Sequence, residues 1–383
     1  MAHTAHKTTE QMEEHYDSPQ ELQNKIYQLV QWINESKHCI IFTGAGVSTS
    51  TGIPDFRGPQ GVWTLRAQNA TRTGPTTPAI KAIPSDSHMS IVELMRDGMV
   101  KYLVSQNTDG LHRKSLVPLD KFSELHGNSC LEYCKTCGKQ YLRDFRVRNA
   151  QKAHEHETGR LCDNPKCKGK LYDSIINFGE SLPKKALKDG FEQAELADLC
   201  IVLGSSLTVT PAADIPKRVA QRGKRLVIVN LQKTPLNDKA AMVIHAKTDD
   251  VMRGIMEGTG REIPSFRLRR QLVISNNKTH LTVETVDRDG TPFDFLQTVT
   301  VQNTMLTKRP YQFVLPKSNT ADIKLQFYGH YHEPDFTINH SFDRTANGST
   351  EYCLSYDPFN QQWSFIDPDE DLKKMQDMER DIQ

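Results

Sequence analysis

The chain has 383 residues, 37% of them hydrophobic and 25% charged, with a formal net charge of +1. That length points to two or three domains, and the charge balance excludes a global field drawing the molecule to nucleic acid or to a membrane surface. Direct nucleic-acid binding is therefore unsupported by net charge and would have to be local. No apolar run approaches the ~20 residues of a membrane-spanning helix. The stretch MAHTAHKTTEQMEEHYD (1–17) lacks the apolar core of a secretory signal, so a protein that is not secreted is expected.

Residues 1–17 are polar and are expected to be a disordered N-terminus. In SPQELQNKIYQLVQWINES (18–36), Leu22, Ile26, Leu29, Val30 and Ile33 recur at helical spacing, with Ser18 as the N-cap. HCIIFTGAG then reads as a buried strand entering a glycine turn. KYLVSQN (101–107), YDSIINFGE (172–180), DLCIVLGSS (198–206) and KRLVIVN (224–230) are further short apolar runs that end in small or polar residues. Helical stretches such as SHMSIVELMRDG (87–98) and DIPKRVAQRG (214–223) lie between them. Strands alternating with helices give an α/β fold with a parallel, doubly wound sheet, and ligands bind outside the carboxyl ends of such strands. Cysteines interrupt the pattern at about 130–171, as in a small inserted module. From 268 to 366 alternating stretches such as LTVETV and DIKLQF, with turn signals at Asp289-Gly290 and Asn347-Gly348, indicate a separate antiparallel β domain. A charged tail (367–383) ends the chain. The basic run KRVAQRGKR (217–225) reads as a solvated helix face, and the C-terminal aromatics and histidines as a packed β core with surface histidines.

Gly44 and Gly46 let backbone approach a phosphate closely, although Thr49 stands where the dinucleotide fingerprint G-x-G-x-x-G has its third glycine. The chain has eight cysteines. Cys39 and Cys200 lie in apolar runs and are expected to be buried thiols. Cys134-x2-Cys137 and Cys162-x4-Cys167 suit a four-thiolate zinc site, with no open position for a catalytic water. Cys130 is a spare thiol there, and His154 and His156 are weighed as substitute ligands against ordinary loop histidines. SQNTDGLH (105–112) sets Gln106, Asn107 and Asp109 at a strand end, where the crevice should be. SELHGNSC (123–130) offers His126, the best general-base candidate, because imidazole titrates near neutrality.

TGAGVSTSTGIPDFRGPQGVW, SQNTDGLH, LHGN, the two cysteine pairs, INFGESLP, GSSL and IVNLQ occur in the order found in the sirtuin family of NAD-dependent protein lysine deacylases. The resemblance covers residues 20–262. GPQGVWTL, the spacing around HETGRLC, NLQKTP and DDVM resemble its class IV branch, the nuclear sirtuin-six and sirtuin-seven type. The resemblance implies a Rossmann-like catalytic domain over 18–262 with the zinc module inserted, one structural zinc, and NAD as co-substrate. It places Ala45, Thr49, Asp55, Phe56, Arg57, Trp63, Gln106, Gly204, Ser205, Ser206, Asn230, Gln232 and Thr248 with Gly44 and Gly46 around NAD. Asn107 and Asp109 would bound the nicotinamide, and Ile176, Asn177, Phe178 and Gly179 would pair with the substrate backbone as an added strand.

The reaction this implies begins with loss of nicotinamide. The acyl-lysine oxygen captures the ribose carbon and His126 removes a proton from the ribose hydroxyls. Free lysine, nicotinamide and O-acyl-ADP-ribose result. The implied partner is an acylated protein lysine, of a histone or another nuclear protein, and the implied location is the nucleus or the cytoplasm, with no membrane contact. Two alternatives stay open: protein mono-ADP-ribosyl transfer from the same pocket, and a non-catalytic NAD-responsive scaffold. Thr108 replaces an apolar residue usual in the family, and Asn177 stands at an often aromatic position.

Overall fold

A computed structural model describes residues 12–150 and 152–367. Residues 1–11 and the tail from 368 onward lie outside the described residues. The chain divides into two compact units, one formed by residues up to 128 with 175–266, the other by 129–174 with 267 onward.

The first unit holds a sheet of β1 (Cys39–Thr43), β2 (Val100–Ser105), β3 (Phe122–Glu124), β4 (Leu199–Leu203), β5 (Arg225–Val229) and β6 (Met242–Ile244). Every neighbouring pair is parallel, in the order β6-β5-β4-β1-β2-β3. β1 and β4 are CIIFT and LCIVL, buried at every position. That fits a sheet covered on both faces, where apolar residues need not alternate with polar ones. Ile41, Leu103, Ile201 and Val227 pack toward helices Pro19–Glu35, Asp86–Arg96 and Thr248–Gly258. Ile40, Val104, Cys200, Val202 and Ile228 pack toward Lys184–Leu196 and Asp214–Gln221. The strand order reverses between β1 and β4, the position at which ligands bind outside the carboxyl ends of the strands in such sheets.

The first helix starts as its sequence dictates. Ser18 caps it, the Ser18 N–H donates to Glu21 Oε2 (3.0 Å) to complete a capping box, and Pro19 occupies the first turn. The segment before it corrects the expectation of disorder over 1–17, at least for its last residues. The His15 N–H donates to Leu231 O and the Asp17 N–H to His245 O, both at 2.8 Å. Asp17 Oδ2 accepts in turn from the His245 N–H (3.0 Å) and from Lys25 Nζ (2.7 Å). Polar residues here satisfy backbone groups just past β5 and β6, which composition alone does not reveal.

The expected strand 172–180 is also corrected. Only Lys170–Asp173 is a strand, and within the second unit it pairs antiparallel with Leu131–Cys134. Residues 174–180 form no strand, and the Ile176 N–H instead donates to His126 O (3.1 Å).

In the second unit the cysteine-bearing strands and the C-terminal strands form one body. Phe293–Asp294 adds in parallel to Gln140–Arg143, at the edge of the sheet that carries the cysteines. Two further antiparallel sheets share a core, in which Leu272, Ile274, Leu281 and Val283 meet Val299, Ile323, Leu325 and Ile338. Leu268–Asn276 alternates buried and half-buried residues throughout, as the period-2 pattern requires. A buried ion pair joins the two sequence segments: Arg270 donates to Asp144 Oδ2 at 2.8 Å, with side chains 4% and 3% exposed. The Arg270 guanidinium also lies over the Phe293 and Phe295 rings, each 5.0 Å away. Removing one partner of a buried pair strands the other charge, at a cost of about 3–5 kcal/mol. Arg270→Ala should therefore lower the unfolding free energy of this unit by an amount in that range, read as a fall in its urea midpoint. An unchanged midpoint would show that the pair contributes nothing.

Candidate active site

Three glycines make the crevice. The Gly44 N–H donates to Leu203 O (3.0 Å), the Gly46 N–H to Gly204 O (2.8 Å), and the Gly204 N–H to Val229 O (2.9 Å). The turns after β1 and β4 thus press backbone on backbone. A Cβ on Gly46 would lie 2.6 Å from Gly204 Cα, and one on Gly44 would lie 2.7 Å from Gly204 O. Gly204 also has φ of +61°. Ala45–Thr51 follows as a tight helical turn, and the Thr49 hydroxyl donates to Gly46 O (3.0 Å). Thr49 at the third fingerprint position thus stabilises the turn rather than leaving room for a helix.

The end of β2 is tied into this turn. The Gln106 N–H donates to Thr43 O (3.0 Å), and Gln106 Oε1 accepts from the Ser205 hydroxyl (2.7 Å). Asn107 Nδ2 donates to Gly44 O (3.1 Å) and to Ser48 Oγ (3.4 Å). Ser48 donates to Asp109 Oδ2 (2.7 Å), while Asp109 Oδ1 takes the Leu111 N–H (2.9 Å). Asn107 and Asp109 are therefore bridged by Ser48, which the sequence reading did not single out. Its one signal was a small hydroxyl two residues beyond the second glycine.

His126 follows β3. Its Nδ1 lies 2.9 Å from Gln106 O. A carbonyl only accepts, so Nδ1 carries the proton and Nε2 keeps a free lone pair. Burial depresses the imidazole pKa, and the nearby Arg57 cation depresses it further, against the opposing pull of the Gln106 carbonyl. The ring is thus a neutral base at physiological pH, held at one nitrogen and available at the other.

The loop bearing Asp55, Phe56 and Arg57 folds on itself. Asp55 Oδ2 accepts from the Gly58 N–H (3.0 Å), and the Trp63 N–H donates to Phe56 O (2.9 Å). Phe56 stacks on Trp63 with centroids 5.9 Å apart, and Trp63 meets Phe178 edge-on at 6.1 Å. These rings bring the loop to the segment Ile176–Gly179. Burial raises the Asp55 carboxyl pKa and lowers that of the Arg57 guanidinium. On the far side of the crevice, Gln232 Nε2 donates to Arg57 O (3.2 Å) and to Met12 O (3.1 Å), and Asn230 Nδ2 donates to Gln232 O (2.8 Å). Thr248 is buried at the start of its helix, and the half-buried Ser206 bonds the exposed Thr208 through its hydroxyl (3.0 Å). Asn177 is turned toward Glu180: its N–H donates to Glu180 Oε2 at 2.6 Å and its Nδ2 reaches both carboxylate oxygens at 3.2 Å.

Direct hydrogen bonds join Gly46 to Gly204, Asn107 to Gly44, and Gln106 to both Ser205 and His126, while Ser48 bridges Asn107 and Asp109. Arg57, Asn230 and Gln232 form a second linked group, and Phe56, Trp63 and Phe178 a third. Ala45, Thr248 and Ser206 take positions beside them without a direct bond into these groups. The donor set suits a dinucleotide: close backbone at a switch point for the pyrophosphate, amides and hydroxyls for riboses and a carboxamide.

In the second unit the Sγ atoms of Cys134, Cys137, Cys162 and Cys167 all lie within 4.8 Å of one another. Cys134–Cys167 and Cys137–Cys162 are 3.6 and 3.7 Å apart. A tetrahedron with Zn–S bonds of about 2.3 Å has edges near 3.8 Å, so the four thiols fit zinc. Gly169 makes the close turn possible, since a Cβ there would lie 2.8 Å from Cys134 Sγ. Cys130 is not in this group, and His156 is instead paired with Asp173 at 3.1 Å.

A model of the Sir2 family matches residues 72–211. The NAD-dependent protein deacetylase SRT1 of Arabidopsis thaliana is 45% identical over 255 residues, covering 67% of this chain and 53% of that protein. The NAD-dependent protein deacetylase sirtuin-7 of Bos taurus is 42% identical over 262 residues, 66% of this chain and 64% of its own. The NAD-dependent protein deacetylase Sirt6 of Drosophila melanogaster is 37% identical over 261 residues, 66% of this chain and 81% of its own. A solved structure of a Sir2 variant with deacetylated p53 peptide and 3'-O-acetyl ADP ribose superposes with a TM-score of 0.51 at 32% identity, covering 62% of this chain and 99% of that one. The chain spans about half the length of the plant relatives it matches.

Proposed function

The chain belongs to the Sir2 family, and from that premise we propose that it is an NAD-dependent protein lysine deacetylase, a deacylase that releases nicotinamide, O-acyl-ADP-ribose and free lysine. The observation that carries this reading is the bond from His126 Nδ1 to the carbonyl of Gln106, the residue before Asn107, which leaves Nε2 as the basic nitrogen. A scaffold has no use for a base held in one tautomer.

NAD supplies an electrophilic ribose carbon once nicotinamide leaves. The chain's own residues do the rest. The turns at Gly44, Gly46 and Gly204 bring backbone close enough to hold the pyrophosphate. Asn107 and Asp109, bridged by Ser48, bound the carboxamide. Asn230, Gln232 and Thr248 flank the adenosine. Phe56, Arg57 and Trp63 cover the ribose and keep water from it. Ile176–Gly179 offers backbone to an extended peptide, a mode that asks little of the peptide's sequence. His126 Nε2 takes a proton from a ribose hydroxyl. The four cysteines would hold one structural zinc, whose closed shell leaves no place for a reacting water.

We assign the catalytic domain to 18–262, with the zinc module at about 130–171, and the β-rich C-terminal domain to 268–366. We further infer that the protein is of the class IV branch, is nuclear, and acts on an acylated histone or another nuclear protein; its 42% identity to sirtuin-7 supports this. The test is an acetyl-lysine peptide with NAD. Nicotinamide should appear in step with deacetylated peptide, and peptide left acetylated while NAD is consumed would overturn the reading.

A further inference from the structure

At the ends of β1 and β2 lies a chain of buried polar groups that runs from His112 to the Asn107 backbone. Thr43 and Ser105 are the last residues of β1 and β2 and face each other in register. The Thr43 hydroxyl donates to Ser105 Oγ (2.9 Å), and Ser105 Oγ also accepts the Asn107 N–H (3.1 Å). Thr43 Oγ1 has a second neighbour, His112 Nε2, at 2.8 Å. Thr43 has one proton and has given it to Ser105. The bond to His112 must therefore use the ring N–H, with Thr43 accepting.

His112 is 2% exposed, and among the described residues its Nδ1 finds no hydrogen-bond partner. The neighbouring His88 ring, 4.8 Å away by centroid, is turned to Ser85, whose N–H donates to His88 Nδ1 (3.2 Å). Burial, with His88 adding to it, lowers the His112 pKa to about 3, so the ring stays neutral and has a single N–H to give. The whole polar connection of this ring thus goes to Thr43. A buried imidazole with one nitrogen unpartnered is costly to keep for packing alone, since an apolar ring would fill the same space without stranding a polar atom.

We propose that His112 is a positioning residue for the reaction: its Nε2–H fixes the Thr43 hydroxyl, which fixes Ser105 Oγ, which holds the Asn107 backbone at the nicotinamide pocket. The proposal rests on the deacetylase reading for its kinetic consequence but not for its structural one. Loss of the first N–H leaves the Thr43 oxygen without its donor, so the hydroxyl is no longer fixed toward Ser105 and the hold on the Asn107 N–H loosens. A misplacement of a positioned group by about 1 Å is enough to slow an enzyme about 100-fold.

The test uses the full chain with three single variants and one double. His112→Phe keeps the ring and removes the N–H. His112→Gln places an amide N–H where Nε2 stood. Thr43→Val removes the hydroxyl at constant volume. His112→Phe and Thr43→Val should each lower kcat for nicotinamide release by about 10- to 100-fold with little change in KM for an acetyl-peptide. His112→Gln should recover most of that loss. The double variant should be no slower than the slower single, because both break one link. Hydrogen exchange by mass spectrometry reads the same link without turnover: protection of the Asn107 amide should fall in His112→Phe and Thr43→Val and persist in His112→Gln. Wild-type exchange at Asn107 in His112→Phe, or losses that multiply in the double variant, would overturn the proposal. If His112→Phe does not fold, Thr43→Val and His112→Gln carry the same comparison. A wild-type protein that releases no nicotinamide would instead sink the deacetylase reading, leaving the exchange result to judge the link.

Discussion

His126→Tyr should abolish deacetylation while leaving NAD affinity within a few-fold of the parent. The loss expected for a general base is about 100- to 10,000-fold. The His126 ring bonds the Gln106 carbonyl, and the bonds of the glycine turns and of the Asn230–Gln232 side of the crevice do not involve it. Binding and turnover should therefore separate, which isothermal titration with NAD and an acetyl-peptide assay would measure side by side. The pH profile carries a second sign. The active form is the neutral imidazole, and its pKa lies below the usual 6.5 chiefly because the ring is buried. Activity should thus persist as pH falls through 6.5 and disappear only when it drops through the lower, folded-state value. Retained turnover in His126→Tyr, or an acid limb centred above 6.5, would contradict the role given to this ring.

Stripping zinc should open far more of the chain than the cysteine turns. Structural zinc contributes apparent binding free energies of about 10–16 kcal/mol to small folded modules. Here the strand Gln140–Arg143, between Cys137 and Cys162, carries Phe293–Asp294 on its edge, and Arg143 pairs with Asp294 at 3.7 Å. Asp163, next to the ligand Cys162, also approaches Arg143 (3.3 Å) and Arg309 (4.0 Å). Loss of the metal, by chelation or by Cys134→Ser, should therefore deprotect residues 268–301 to hydrogen exchange along with 130–171. The sheet β1–β6 should lose less. Full protection of 268–301 in metal-free protein would show that the C-terminal strands stand without the zinc module.

Features set by local backbone demands were legible in the sequence. The glycine turn, the polar strand end SQNTD and the cysteine pairs each need particular residue types within a few positions, and each falls where it was expected. So do the capped helix after Ser18 and the buried runs of β1 and β4. What escaped depends on partners far away in sequence. The joint between 142–143 and 293–294 is two residues long and has no periodicity to betray it. The run 172–180 has β-forming residues, but pairing stops at Asp173, and propensity cannot say where a ladder ends. Residues 13–17 look disordered by composition and are held by carbonyls more than two hundred positions on. Ser48, Thr43, Ser105 and His112 matter through directional bonds that no spacing rule records.

In the proposed reaction the ribose, once nicotinamide has gone, is captured by the acyl oxygen of a lysine. Mass spectrometry of the acetyl-peptide reaction decides it directly. O-acetyl-ADP-ribose should appear in solution, equal in amount to the nicotinamide released and to the free-lysine peptide. ADP-ribose covalently attached to protein or peptide, with the acetyl group still on its lysine, would contradict it.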